Sequence, residues 1–391
     1  MPTLRSTTRR PRGRQLAYAA GAVGSALSAA IVALALVEDF RGVGWQPWDG
    51  DPADVAGFAS WVIASVSEPQ YYAVAAASVG LLLGGGFAYL AQRRSWKWQG
   101  FVQACGSGIW PWAAATGLIS LVLSNLCWGW TLGPGLWQPL FVPLVSVAPA
   151  IVIHFGPRWT VALTGTVLGA LLAPPVSILA VKYICKPFDL PLVVGATAGM
   201  TVGAALAFWL CGRLPWMPPP GAWRVAAAPG TTEPSRSWFV RRALADFSEA
   251  QFFGNEWASA ALILGAVIVQ LVDPSTIGYG SGLFPQILAG QVITAVLGVL
   301  VWRRRWEVHG FYPTFVPVVS VAPATVLAFG GTIPSIVAGA VAGALIAPPV
   351  AAAISARLPI TFHPFIGNVA SMTLCTAFVV PLLDLIPGFA S

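Results

Sequence analysis

The sequence predicts an all-α polytopic membrane protein with about 11 transmembrane helices. Of its 391 residues, 57% are hydrophobic and only 9% are charged, whereas soluble domains carry about 25% charged residues. The mean hydropathy is +0.74. Apolar runs such as 16–37 and 190–210 reach the roughly 20 residues that a helix needs to cross a bilayer. The core of one soluble domain could not bury so many apolar segments.

Each predicted helix is an apolar run bounded by charges or turn residues. The first run is longer than the apolar core of a signal peptide, about 7–15 residues, and this length favours a retained helix. The predicted helices lie at 15–37, 70–91, 109–129, 138–156, 159–181, 190–212, 257–273, 283–303, 311–331, 333–356 and 364–387.

The distribution of Lys and Arg predicts the orientation, because basic residues mark the cytoplasmic ends of transmembrane helices. Basic clusters occur in 1–14, 93–97, 213–242 and 303–305, and the loop 38–69 is acidic. Placing the N-terminus inside and the C-terminus outside puts all four clusters on the cytoplasmic side of the plasma membrane. The net charge of +7 then reflects topology. The expected partners are the lipid bilayer and a small-molecule solute, not nucleic acid; homo-oligomerisation is left open.

An internal repeat sets the predicted domain organisation. FVPLVSVAPA at 141–150 returns as FVPVVSVAPA at 315–324, and 106–176 aligns without a gap on 280–350. Roughly 30 of about 70 aligned positions are identical, which indicates a duplication. Each copy holds five predicted helices, so the second copy is inverted in the membrane. The predicted regions are a basic cytoplasmic tail (1–14), an extra transmembrane helix (15–37), an outer loop with an amphipathic helix at 53–66 (38–69), inverted repeat 1 (70–212), a cytoplasmic linker with an interfacial helix (213–256) and inverted repeat 2 (257–391).

Proline-broken segments near the middle of each copy predict a binding site. Prolines in the repeated phrase interrupt predicted helices 4 and 9, and the APP triplets at 173–175 and 347–349 are expected to interrupt helices 5 and 10. Paired interruptions in inverted repeats indicate a midplane site. The predicted substrate-binding residues are Ser146, Ser320, Pro149, Pro323, Asn125, Gln286 and Gln291.

Few ionisable groups accompany these segments. His154 is the candidate for gating or coupling transport, because imidazole carries a proton near neutral pH. The alternative is that His154 is merely solvated beside Arg158 at the cytoplasmic end of predicted helix 4. The cysteines show no metal-site spacing, and no GxxxxGK[ST] phosphate loop occurs. We therefore expect neither a metal nor a cofactor.

Three functions fit this pattern, and a small-solute transporter working by alternating access is the main expectation. One alternative is a passive small-solute channel, for which urea-channel architecture is an analogy. The other is an enzyme: acidic residues in the first outer loop, including Asp49, Asp51 and Asp54, resemble those of membrane glycosyltransferases that use lipid-linked sugars. That resemblance implies that the outer-loop carboxylates bind metal or act as a base.

Overall fold

The computed structural model describes residues 48–51, 53–132, 137–219, 222–223 and 236–389, and these residues form helices, turns and loops without a strand. The predicted basic tail and first helix (15–37) lie outside this part of the chain. The α-helices are α1 (Val55–Ala64), α2 (Ala75–Arg93), α3 (Trp110–Trp128), α4 (Val147–Phe155), α5 (Trp159–Ala180), α6 (Leu192–Cys211), α7 (Arg236–Ala245), α8 (Glu256–Val272), α9 (Phe284–Val301), α10 (Arg303–His309), α11 (Val321–Ala328), α12 (Ile333–Ser355) and α13 (Phe365–Asp384).

Seven of the described helices are long and apolar enough to cross a membrane, namely α2, α3, α5, α6, α9, α12 and α13. Three shorter apolar segments lie among them, at Val142–Phe155, Glu256–Val272 and Val316–Ala328. The exposed surfaces of these apolar helices are rich in Leu, Ile, Val and Trp, as expected where a helix faces lipid rather than water.

The described helices form two series in the same order. In their α-helices, the series α1 to α6 and the series α7 to α13 differ by α10, a short basic helix after α9. Within each series the last two long helices pack against each other, α5 on α6 and α12 on α13. Between the series, α2 packs on α8 and α6 packs on α13.

Glycines let α2 and α8 approach closely and fix their direction. A Cβ atom on Gly80 would collide with the backbone at Ala261, and one on Gly265 would collide with the backbone at Ala76. A Cβ atom on Gly84 would lie 2.6 Å from the Trp257 carbonyl oxygen. Contacts closer to the C-terminus of α2 therefore involve residues closer to the N-terminus of α8, so the two helices are antiparallel. We name the end of the bundle where α2 finishes the Arg93 end, and the opposite one the Val272 end.

This packing gives a first prediction. Gly80→Ala should lower the free energy of unfolding by about 1–3 kcal/mol, because the added methyl group overpacks the interface. Thermal or denaturant unfolding in detergent measures the change. Gly86→Ala is the matched control: its added Cβ would meet only the Trp110 ring at 3.9 Å, and alanine favours a helix by about 1 kcal/mol over glycine. Equal destabilisation by both variants would contradict close packing at Gly80.

The predicted interruptions of helices 4 and 9 are present. A 3₁₀ turn at Val142–Val145 leads into Ser146, whose φ of −138° and ψ of −110° break the helix before α4 begins. The same turn at Val316–Val319 leads into Ser320, with φ −140° and ψ −87°, before α11.

The predicted interruptions at the APP triplets are wrong. α5 continues through Pro174 and Pro175, and α12 continues through Pro348 and Pro349. Proline at 174 removes the amide that would bond to the Ala170 carbonyl, but the Trp128 Nε1 donates to that carbonyl at 2.9 Å. In the second series Trp302 Nε1 donates to the Ala344 carbonyl at 2.9 Å. Because a neighbouring indole satisfies the carbonyl freed by the first proline, the helix persists.

Candidate functional site

A large cavity lies between the two series of helices. It has a volume of about 1580 Å³ and is lined by both series. Gln99, Gly100 and Trp306 line it from the Arg93 end, whereas Trp137 and Tyr279 line it from the Val272 end. The lining therefore reaches both ends of the helix bundle.

The middle of the cavity has apolar walls contributed in matching pairs. Phe141 and Val145 of the first series line it, as do Phe315 and Val319 at the matching positions of the repeated phrase. Met200 and Met372 form a further pair. Polarizable methionines and aromatic rings adapt to the shape of an organic molecule, so these walls suit an apolar or amphipathic solute.

Two short segments with related sequences meet beside the cavity. SEPQYY at 67–72 matches SEAQFF at 248–253. Gln70 Nε2 donates to Gln251 Oε1 at 2.9 Å, and Gln251 Nε2 donates to Gln70 Oε1 at 2.7 Å. Each amide also donates to a backbone carbonyl of the opposite segment, Gln70 to Phe247 and Gln251 to Val66. The two glutamines thus form a buried reciprocal amide pair.

The backbones of these segments match as well. Tyr71 has φ 67° and Phe252 has φ 64°, a left-handed conformation that non-glycine residues rarely adopt. Ser67 Oγ donates to the Ala64 and Val74 carbonyls, and Ser248 Oγ donates to the Ala245 and Asn255 carbonyls. The predicted repeat did not include this match between 67–72 and 248–253, although it is visible in the sequence.

At the Val272 end, Glu68 occupies an aromatic corner of the cavity. Its side chain is 4% exposed. Trp137 Nε1 donates to Glu68 Oε1, and the Tyr279 hydroxyl donates to the same oxygen at 3.5 Å. The Tyr279 ring lies 6.3 Å from the Tyr71 ring and 6.3 Å from the Trp137 ring. Burial raises the pKa of Glu68 to about 8, although the hydrogen bond from Trp137 acts in the opposite direction.

At the Arg93 end, Glu249 holds the position in its segment that Glu68 holds in the other, but its surroundings differ. Arg242 Nη2 contacts Glu249 Oε2 at 2.7 Å and Asp246 Oδ1 at 2.9 Å. The guanidinium carbon lies 4.7 Å from the Trp306 ring and 5.2 Å from the Phe101 ring. Here a guanidinium group of the protein pairs with both buried carboxylates and lies among aromatic rings.

The predicted serines lie beside the cavity but bond to the protein. Ser146 Oγ donates to the Val142 carbonyl at 2.5 Å, and Ser320 Oγ donates to the Val316 carbonyl at 2.7 Å. Both side chains are fully buried. Their neighbours Val145 and Val319 line the cavity, so the breaks shape its wall.

Of the other predicted site residues, Gln291 contacts the segment before the break at Ser320, and none of them is among the residues that line the cavity. Asn125 Oδ1 accepts from Trp61 Nε1 at 2.8 Å. Gln291 accepts from the Tyr72 hydroxyl at 2.9 Å and donates to the Gln70 and Val318 carbonyls. Gln286 is half-buried near the start of α9. Pro149 and Pro323 are buried in the first turns of α4 and α11.

His154, the predicted gating or coupling residue, lies in the last turn of α4 at the Arg93 end. Its ring is 6.1 Å from the ring of His363 and 5.3 Å from that of Phe208. His363 lines the cavity, and burial lowers its pKa to about 3, which keeps its ring uncharged. The sequence did not single out this pairing of the two histidines.

The outer-loop carboxylates organise local backbone. Asp49 accepts from the amide of Asp51, Asp51 accepts from the amide of Ala53, and Asp54 caps the start of α1 by accepting from Gly57. Among the described residues no group of three or more His, Cys, Asp or Glu side chains is arranged to hold a metal ion.

The described part of the chain has the features of an α-helical multi-pass membrane protein, with apolar helices around a large internal cavity. No known family model matches the chain, and no curated protein has a detectably similar sequence.

Proposed function

We propose that the protein is a plasma-membrane transporter of a small organic solute, working by alternating access between two inverted repeats. The observation that carries this proposal is the cavity, because its lining comes from both series of helices and reaches both ends of the bundle. A solute held there could be released towards either side by a small rocking of one series against the other.

Three observations support the inverted arrangement. The helices of the two series have the same order. The equivalent helices α2 and α8 pack antiparallel through Gly80 and Gly265. The reciprocal bonds between Gln70 and Gln251 are those expected where a two-fold axis passes between equivalent residues.

The interrupted segments supply the moving parts in this proposal. The breaks at Ser146 and Ser320 adjoin the cavity wall and allow the segments on either side to tilt separately. Gln291 donates to the Val318 carbonyl beside the second break, and Asn125, Gln286, Pro149 and Pro323 remain proposed substrate-binding residues. His154 is the proposed gating group, since it lies beside His363 at the Arg93 end.

Charge at the two ends supports an orientation with the N-terminus inside and the C-terminus outside. Basic residues gather at the Arg93 end, and acidic residues gather at the Val272 end, including Asp189, Asp273 and Asp384. Basic ends face the cytoplasm in most multi-pass proteins.

This orientation gives a second prediction. In a chain whose native Cys105 and Cys127 are replaced, Lys97→Cys and Arg304→Cys should react with a membrane-impermeant maleimide only from the cytoplasmic side. Ser275→Cys should react only from outside, because it lies at the Val272 end. Labelling of intact cells and of inside-out vesicles distinguishes the sides. Labelling of all three from one side would refute the arrangement.

A passive channel is the second candidate, because a cavity lined from both ends of the bundle also fits an open pore. Counterflow in proteoliposomes separates the two. Preloading with unlabelled solute accelerates uptake of labelled solute by an alternating carrier, whereas an open channel shows no acceleration.

A further inference from the structure

Glu68 is a buried carboxyl group that forms no ion pair with any residue that the structure describes. It faces the cavity together with Tyr71, Trp137 and Tyr279. A carboxylate among aromatic rings is the environment that recognises organic cations, because ring faces and the carboxylate both attract positive charge.

In the second series of helices, a similar site with a carboxylate and aromatic rings is occupied by a guanidinium group of the chain itself. Glu249, which matches Glu68 in sequence, holds the Arg242 guanidinium at 2.7 Å beside Trp306 and Phe101. The residue of α1 that matches Arg242 in the same register is Trp61. Among the described residues, the first series therefore keeps the carboxylate and aromatic neighbours but has no cation at the position that matches Arg242.

We propose that this aromatic corner binds the positively charged head of the transported solute, an organic monocation with an amine or guanidinium group. The inference rests on the proposed function and names its substrate class. The head would contact Glu68, and the apolar body would lie against Phe141, Phe315 and the methionine pair.

The Tyr71 hydroxyl is a second sign of an external ligand. It is buried and lines the cavity, and it has no hydrogen-bond partner in the described part of the chain. Leaving a buried hydroxyl unpaired is unfavourable, and a bound amine or guanidinium would offer it a partner.

The test compares benzylguanidine with benzylurea, which have nearly the same shape but differ in charge. Binding is measured by calorimetry on the detergent-purified full chain at pH 8.5, and uptake is measured in proteoliposomes. The wild type should bind benzylguanidine at least about tenfold more tightly than benzylurea, the effect of one charge-assisted contact. Glu68→Gln should remove this preference, and Asp384→Asn, an exposed carboxylate at the same end, should preserve it.

Tyr71→Phe keeps the test decisive if Glu68→Gln does not fold. Because the hydroxyl has no partner among the described residues, this variant should unfold at the wild-type temperature or above it, yet bind benzylguanidine several-fold more weakly. Equal affinity of the wild type for both probes, or a preference that survives Glu68→Gln, would overturn the inference. Selective binding without uptake would overturn the transport function alone, and uptake without charge preference would overturn the cation site alone.

Discussion

Arg242→Met is expected to lower the free energy of unfolding by about 3–5 kcal/mol, the cost of leaving buried charges without their partner. Arg242 is only 5% exposed, and its guanidinium contacts both Asp246 and Glu249. Methionine fills a similar volume, so the loss measures the unpaired carboxylates more than a cavity. Unfolding in detergent, followed by tryptophan fluorescence against denaturant, gives the change.

Arg303→Met is the matched control, since Arg303 and Glu307 form an ion pair with side chains 51% and 38% exposed. Exposed pairs contribute about 0–1 kcal/mol, so this variant should unfold close to the wild type. If the two variants were equally stable, the buried cluster would not be what stabilises the Arg93 end.

The affinity for an organic cation is expected to fall about 50-fold between pH 8 and pH 6. Burial raises the pKa of Glu68 to about 8, so roughly half of this carboxyl is ionised at pH 8 and about 1% at pH 6. The cation binds the ionised form, and binding therefore strengthens as the pH rises through this pKa. Benzylguanidine keeps its charge across this range, as guanidinium groups do. A change in affinity measured by calorimetry from pH 6 to pH 9 therefore reflects ionisation of the protein.

Other ionisable groups near Glu68 fit this assignment. Burial raises the pKa of Tyr71 and of Tyr279, so both phenols stay protonated from pH 6 to pH 9. Asp189 lines the same cavity, and Asp189→Asn separates its contribution from that of Glu68. The pH dependence should persist in Asp189→Asn and vanish in Glu68→Gln. A flat wild-type profile would mean that Glu68 does not contact the cation.

Composition and local sequence were enough to predict the membrane class and the breaks at Ser146 and Ser320. A proline phrase within an apolar run weakens a helix wherever it lies, so its consequence is largely local. The APP triplets contain the same residue type but do not break α5 or α12. The difference comes from Trp128 and Trp302, which lie at the ends of neighbouring helices and donate to the freed carbonyls. Sequence alone could not place those indoles there.

The cavity shows a second limit of sequence reasoning. Glu68 and Glu249 match each other in a register 181 positions apart, whereas the gapless alignment of the repeat begins at 106 and 280. The loop after α2 is longer than the loop after α8, so the register changes between them and the earlier match falls outside the alignment. Without that match Glu68 reads as one more acidic residue of an outer loop.

The reciprocal amide pair formed by Gln70 and Gln251 has an evolutionary consequence. Each glutamine donates to the side-chain oxygen of the other, so the pair is self-complementary. Two copies of one half-length chain, inserted in opposite orientations, could therefore form the same pair of bonds. Under the proposed inverted duplication, a half-length ancestor would have assembled as an antiparallel homodimer before fusion. After such a fusion, a residue such as Arg242 is free to appear in one half without a counterpart in the other, which gives the molecule an asymmetry that a symmetric homodimer lacks.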